Sequence, residues 1–146
     1  MRWTLGGCDA VIKYDSKINE IIKIVTHCIQ MRNKSRVLHR DLKDENILIS
    51  TKSLEVKIID FGCATEWDEN RIYKSLSGTP EFFPPEIFKN QNYLAEKSTV
   101  WSLGTLLYIL VTGDVPFDSE KEIINAKRTK VSISKNLFIK IILFSK

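Results

Sequence analysis

Between Ser98 and Thr112 an α-helix would have almost no polar face. Val100, Trp101, Leu103, Leu106, Leu107, Ile109, Leu110 and Val111 are distributed around its whole circumference. A helix that is apolar all round has to be buried, so the rest of the chain must be arranged about this one. Gly113 stands where a left-handed helix terminus belongs, and Pro116 blocks continuation soon after. The pattern predicts a central helix over 98–112. With 146 residues, 43% of them apolar, there is material for one core. A chain of this size buries about 70% of the surface its unfolded form exposes.

The segments around that helix are shorter. Ile18, Ile21, Ile22, Val25, Cys28 and Ile29 fall at helical spacing with one buried stripe. A polar break over 32–36 leads into Val37-Leu38 and then His39-Arg40-Asp41. Asn46-Ile47-Leu48-Ile49 and Val56-Lys57-Ile58-Ile59 flank Ser50-Thr51-Lys52-Ser53 and read as a small hairpin. Residues 60–85 are rich in Gly, Ser, Pro and charge, with no sustained period. They read as a long loop, and loops of that length are usually functional. The fold class expected is mainly α with a small β hairpin.

Composition narrows the partners. A net charge of +4 does not by itself call for nucleic acid. The basic residues cluster late, at Lys121, Lys127, Arg128, Lys130, Lys135, Lys140 and Lys146, which fits a solvated end or a contact with nucleic acid or membrane. The apolar runs Trp101–Val111 and Leu137–Phe144 fall short of the roughly 20 residues a bilayer requires. Cys8, Cys28 and Cys63 are odd in number, lack metal-site spacing and follow no apolar leader, so they read as reduced thiols. The expectation is a soluble cytoplasmic or nuclear protein that binds neither nucleic acid nor membrane.

Three signatures carry the chemistry, and their order matters more than any one of them. The first is Val37-Leu38-His39-Arg40-Asp41-Leu42-Lys43-Asp44-Glu45-Asn46. The second is Asp60-Phe61-Gly62, preceded by the apolar run Val56–Ile59. The third is Gly78-Thr79-Pro80 followed by Pro84-Pro85-Glu86. Singly, an Asp or Asn in a loop is more often a turn former or a helix cap. Together, the stretch from about Ile18 to Phe117 resembles the C-terminal lobe of eukaryotic protein kinases, a partial α+β kinase fold. Lys43, two residues after Asp41, is the serine/threonine form. The Val37–Asp41 and Lys43–Ile49 runs, Phe83-Pro84-Pro85-Glu86, Val100–Gly104 and Gly113–Phe117 resemble the Pim-like branch. Thr99 stands where most kinases carry an Asp, and Pim-like kinases lack that Asp too.

The resemblance implies transfer of the ATP γ-phosphate to Ser or Thr hydroxyls of protein substrates, with Mg²⁺. It makes Asp41 the group that accepts the substrate proton and Lys43 the cation that stabilises the transferred phosphate. It makes Asn46 and Asp60 the oxygen ligands of Mg²⁺ and the nucleotide, Mg²⁺ being a hard cation. Thr79 is implied to touch Asp41 and Lys43 and to help set serine/threonine selectivity. Glu86 would pair with a late Arg of the family that this sequence does not show. Arg40 would bind a phosphate on the activation segment, with Ser75 and Ser77 as acceptors, although Pim-like enzymes do not generally need one. His39 reads as a packed histidine rather than a base, Phe61 as core packing, and Cys63 as an inert side chain.

The domain boundaries expected are an unassigned N-terminal remnant over 1–17, a kinase C-lobe over 18–118 and a degenerate basic and apolar tail over 119–146. Ala10-Val11-Ile12-Lys13 resembles a phosphate-binding strand lysine. Yet too little chain separates Lys13 from His39 for the rest of a nucleotide-gripping lobe. The reading that competes with catalysis is a pseudokinase-like interaction module or a truncated fragment.

Overall fold

A computed structural model describes residues 3–5, 23–50, 53 and 55–125. The candidate Lys13, Cys8, the first turn of the helix expected from Ile18, and the basic tail from residue 126 lie outside the described residues.

The central helix forms as its apolar pattern requires, and starts earlier than expected. It runs Ala95–Thr112 (α3), and its C-terminus is closed by Gly113 at φ 78°, whose N–H reaches the Ile109 carbonyl at 2.7 Å. Glu96 in the first turn suits the positive end of the helix dipole. The burial is not uniform, however: Val100 is 48% exposed, while Leu106 is 1% exposed. The expectation of a helix covered on every side is corrected on that one face.

The other elements wrap around it. A strand Trp3–Leu5 (β1) is followed by a helix over 23–30 (α1), which ends in a wider π-type turn, Met31–Ser35. Arg36 at φ 49° closes that turn by donating its N–H to the Met31 carbonyl. Val37–Leu38 (β2), Ile47–Ser50 (β3), Val56–Ile58 (β4), Thr65–Glu66 (β5), Ile72–Tyr73 (β6) and Tyr93–Leu94 (β7) are short strands. Helices Pro85–Asn90 (α2) and Glu120–Asn125 (α4) complete the described set. Three small antiparallel sheets result: β1-β3-β4, β2-β5 and β6-β7. None of the described helices is long and apolar enough to cross a membrane.

Two differences from the sequence reading follow from tertiary pairing. The hairpin of β3 and β4 is present, with Ile47 opposite Ile58 and Ile49 opposite Val56. It is extended by β1, which lies in the segment expected to be unassigned and places Trp3 opposite Ser50. The supposed structureless loop over 60–85 contains β5, β6 and two 3₁₀ turns, Phe61–Cys63 and Pro80–Phe82. Two-residue strands have no periodicity to read, since they form only when a partner strand supplies the hydrogen bonds.

Two apolar clusters hold these parts together. In the first, Leu106 of α3 packs with Ile24 and Cys28 of α1, Leu42, the inward pair Ile47 and Ile49 of β3, Ile58 of β4, and Phe82. Alternation along β3 buries Ile47 and Ile49 and turns Leu48, half-buried, to the opposite face. The second gathers Leu38, Trp67, Tyr73, Phe83, Ile87, Tyr93 and Ala95. Ser102 adds a polar tie, its hydroxyl lying 3.1 Å from both the Phe82 and Ser98 carbonyls. The central helix thus supports the turn after Lys43 and the turn after Thr79 at once.

Leu106→Ala should lower unfolding free energy by about 2–5 kcal/mol through the cavity it leaves. Gly104 offers a contrast, because an added Cβ meets no atom within 4 Å and its φ is not positive. Gly104→Ala should therefore raise stability by about 0.4–1 kcal/mol. Urea denaturation of both variants against the parent checks the pair of signs.

Candidate active site

The residues singled out in the first and third signatures converge on one carboxylate. Asp41 follows β2 and is 7% exposed. Its Oδ1 accepts the Thr79 hydroxyl at 2.7 Å, and its Oδ2 accepts Asn46 Nδ2 at 3.1 Å. The same Asn46 nitrogen lies 2.9 Å from the Asp41 backbone carbonyl. Lys43 Nζ stands 3.6 Å from Asp41 Oδ2 and donates to Thr79 Oγ1 at 3.0 Å. Thr79 is therefore a bridge, accepting from the lysine and donating to the aspartate. An ionised carboxylate offers about four lone-pair positions. Thr79, Asn46 and Lys43 address three of them.

Backbone geometry makes this convergence possible. Arg40 has φ 69° and Asp60 has φ 60°, and neither residue closes an α-helix. Left-handed backbone costs a non-glycine residue roughly 1–2 kcal/mol, so both are held there by their surroundings. Gly78, at φ 116°, is pressed against the loop that carries Asp41: a Cβ on it would sit 2.3 Å from the Arg40 carbonyl oxygen. No residue with a side chain fits that approach, and it is what brings Thr79 to Asp41.

Arg40 ties the loop to the activation segment. Its Nε donates to the Cys63 carbonyl, and its Nη1 reaches Ser75 Oγ at 2.6 Å. The Ser75 carbonyl in turn accepts the Tyr93 hydroxyl at 3.2 Å. Ser77 has no described contact with Arg40. Glu86, half-buried at the start of α2, makes no ion pair among the described residues.

His39 is 2% exposed and has both ring nitrogens engaged. Nδ1 accepts the Asp41 N–H at 3.3 Å, which leaves the proton on Nε2 to be donated to the Ile59 carbonyl at 3.0 Å. Burial holds its pKa below the ordinary 6.5, despite the Ile59 hydrogen bond and the negative charges of Asp41 and Asp60. A histidine so occupied braces the loop and has no nitrogen left for substrate.

Asp60 and Asn46 are brought near one another by the hairpin, where Ile59 N–H donates to the Asn46 carbonyl at 3.0 Å. Asp60 Oδ1 accepts the Gly62 N–H at 3.1 Å, and the carboxylate is otherwise exposed. Asn46 spends its nitrogen on Asp41, which leaves Oδ1 as an oxygen donor. An amide oxygen and an exposed carboxylate fit Mg²⁺, which is usually held by one or two protein groups together with phosphates. Phe61, expected in the core, is instead 47% exposed and touches His39 edge-on with ring centroids 4.9 Å apart. Its backbone is committed to a 3₁₀ turn at the surface, so the ring gains cover on one side only. Cys63 is partly buried.

A cavity of about 290 Å³ opens beside Lys43 and Thr79. Asp44, Glu45, Glu81 and Asp114 line it, and among the described residues Lys43 is the only cation there. Glu45, which motif reading passed over, holds Lys43 Nζ at 2.9 Å. That hydrogen bond is the main reason the Lys43 pKa lies above its ordinary value. The available signal was the i, i+2 spacing of a cation and an acid, Lys43 on extended backbone and Glu45 inside the Asp44–Asn46 turn.

Comparison with known proteins agrees with this geometry. The family described as "Protein kinase domain" matches residues 9–142. The chain is 39% identical over 113 residues to serine/threonine-protein kinase pim-2 of Danio rerio, covering 77% of this chain and 36% of that protein. It is 45% identical over 107 residues to serine/threonine-protein kinase prk-2 of Caenorhabditis elegans, covering 73% and 23%. Human myosin light chain kinase 2, skeletal/cardiac muscle, is 37% identical over 135 residues, covering 86% and 22%. The chain thus spans about a third or less of the length of these relatives.

Because His39 is held neutral in the fold, its stabilising contribution is complete above pH 6.5 and is lost as pH falls below that value, where the unfolded chain takes up the proton first. One such group contributes a slope of at most about 1.4 kcal/mol per pH unit. Urea midpoints at about pH 7.5 and pH 5.5 should therefore fall further for the parent than for His39→Gln. Equal falls would mean that His39 is charged in the folded chain.

Proposed function

The chain belongs to the protein kinase domain family, and on that footing we propose that it serves phosphoryl transfer from ATP to Ser or Thr hydroxyls of protein substrates. The observation that carries this reading is the closed set of contacts among Asp41, Thr79, Lys43 and Asn46. Phosphoryl transfer asks little covalent chemistry of a protein, so positioning and charge neutralisation supply most of the catalysis. Asp41, with one acceptor position left, orients the substrate hydroxyl and takes its proton. Lys43 places a positive charge beside the same oxygen atoms. Thr79 fixes the distance between the two and lines the entry for an aliphatic hydroxyl, which supports serine/threonine selectivity. Asn46 and Asp60 would hold Mg²⁺, which neutralises phosphate charge when bound.

The finer reading is a Pim-like C-lobe working in the cytoplasm or nucleus. The likeness to pim-2 and prk-2 supports the branch, and the helix-rich described region with its small hairpin supports the lobe. The acids around the cavity favour substrates with basic residues near the acceptor. A phosphate on Ser75 would meet the Arg40 guanidinium already placed against its hydroxyl, a pairing that suits phosphate geometry.

The test is phosphorylation of a basic Ser/Thr peptide by the purified chain with Mg²⁺ and ATP, beside Asp41→Asn. Turnover is expected, with a loss of about 10²–10⁴-fold in the variant, the usual contribution of a positioned proton acceptor. No turnover from a chain shown by circular dichroism to be folded would replace the catalytic reading with that of a binding module.

A further inference from the structure

We infer that Arg32 is a positioning residue: its guanidinium clamps the segment that follows Asp60 onto the strand leading into Asp41. The inference rests on the phosphoryl-transfer reading for its effect on turnover, while the contacts behind it stand independently. Arg32 lies in the π-type turn Met31–Ser35, outside all three signatures of the sequence. Its Nη1 donates to Glu96 Oε1 of α3 at 3.0 Å, and its Nη2 stands 4.0 Å from Glu69 Oε1. Its Cζ lies 5.7 Å from the centre of the Trp67 ring. One side chain thus joins its own turn to two segments distant in the chain.

The stack on Trp67 sets this group apart from an ordinary surface ion pair. The side chains of Glu69 and Glu96 are each 62% exposed, and exposed pairs hold their partners weakly. Trp67, by contrast, is 3% exposed. Arg32 Nε is cut off from water and has no hydrogen-bond partner among the described residues. The inner edge of the guanidinium is therefore pressed against protein, and its outer nitrogens address the two acids. A planar guanidinium can cover an aromatic face and meet carboxylates along its edge at once, which a lysine ammonium cannot.

What the clamp holds is a ladder too short to hold itself. β2 and β5 pair as Val37 with Glu66 and Leu38 with Thr65, and two strands alone are marginally stable at best. The same register continues to Arg36, whose carbonyl accepts the Trp67 N–H at 2.6 Å. In the other direction it reaches Arg40, whose Nε donates to the Cys63 carbonyl. An arginine side chain therefore closes the paired stretch at each end, Arg40 at Cys63 and Arg32 at Trp67. Asp41 directly follows Arg40. Without Arg32, Trp67 can lift from the turn, and the ladder opens toward Asp41.

The test reads the ladder first and turnover second. Amide hydrogen exchange of the ¹⁵N-labelled full chain is followed at Trp67, at Asp41, whose N–H donates to His39 Nδ1, and at Leu106 in the core. R32Q and R32K should each speed exchange at Trp67 and Asp41 by about three- to thirtyfold, the range for a cation on a partly desolvated ring. Leu106 should not change. K34Q removes the same charge from the same turn, where Lys34 is exposed, so it should match the parent. In the phosphorylation assay R32K should lower kcat by roughly ten- to a hundredfold, the scale set by a displacement of about 1 Å. The peptide KM should hold, because the acids around the cavity are untouched. Parent rates at Trp67 and Asp41 in R32K, a K34Q chain as fast as R32K, or an equal change at Leu106 would each overturn the inference. So would a turnover defect confined to KM. A parent without turnover would bear on the catalytic reading alone, since the exchange measurement involves no transfer.

Discussion

The hydrogen bond from Thr79 to Asp41 joins two segments 38 residues apart in the chain, and the arrangement of the site depends on it. Neither segment is regular structure, so neither could set the separation alone. Each is instead carried by the same helix. Leu106 of α3 shares one buried apolar cluster with Leu42 and Phe82, and Ser102 binds the Phe82 carbonyl. A side-chain hydrogen bond of this kind contributes only about 1 kcal/mol net. Its geometry is trustworthy because the backbone on both sides has been fixed by burial. The all-apolar helix therefore contributes more than core volume: it is the ruler against which two loops are aligned.

Strain and charge then finish what packing begins. Arg40 and Asp60 sit in left-handed backbone without capping an α-helix, whereas Arg36 and Gln91, in the same region of conformation, do close helical turns. The strained pair flank the site, one just before Asp41 and one at the end of the hairpin. Such outliers persist where their surroundings over-determine them. For Arg40 the surroundings include the Cys63 carbonyl and the Ser75 hydroxyl. Arg40 thereby ties the loop that carries Asp41 to the segments that carry Cys63 and Ser75.

Much of this was legible in the sequence, for identifiable reasons. The central helix was readable because fifteen consecutive positions share one unmistakable pattern, and the hairpin because two β-rich runs flank polar turn residues. The positions of Asp41, Lys43, Asn46, Asp60 and Thr79 were readable through motif order. The role of β1 was not, because three residues carry no period and their pairing is decided by β3. The exposure of Phe61 and Val100 was hidden for a related reason: hydrophobicity states a preference for burial, and topology decides whether a neighbour is there to satisfy it. Glu45 was missed because its approach to Lys43 is made by the Asp44–Asn46 turn, which has no repeating pattern to read.

The approach of Gly78 to the Arg40 carbonyl has a consequence for how such a site passes through generations. Lys can drift to Arg, Asp to Glu or Thr to Ser and keep part of its chemistry, so most positions around Asp41 have a tolerant neighbour in the genetic code. Gly78 has none. Every amino acid reachable from it adds at least one carbon, and that carbon falls 2.3 Å from an oxygen that cannot retreat without taking Asp41 with it. Descent can therefore erode this site gradually from every side but one. At Gly78 the inheritance is all or nothing, because what is transmitted there is an empty space.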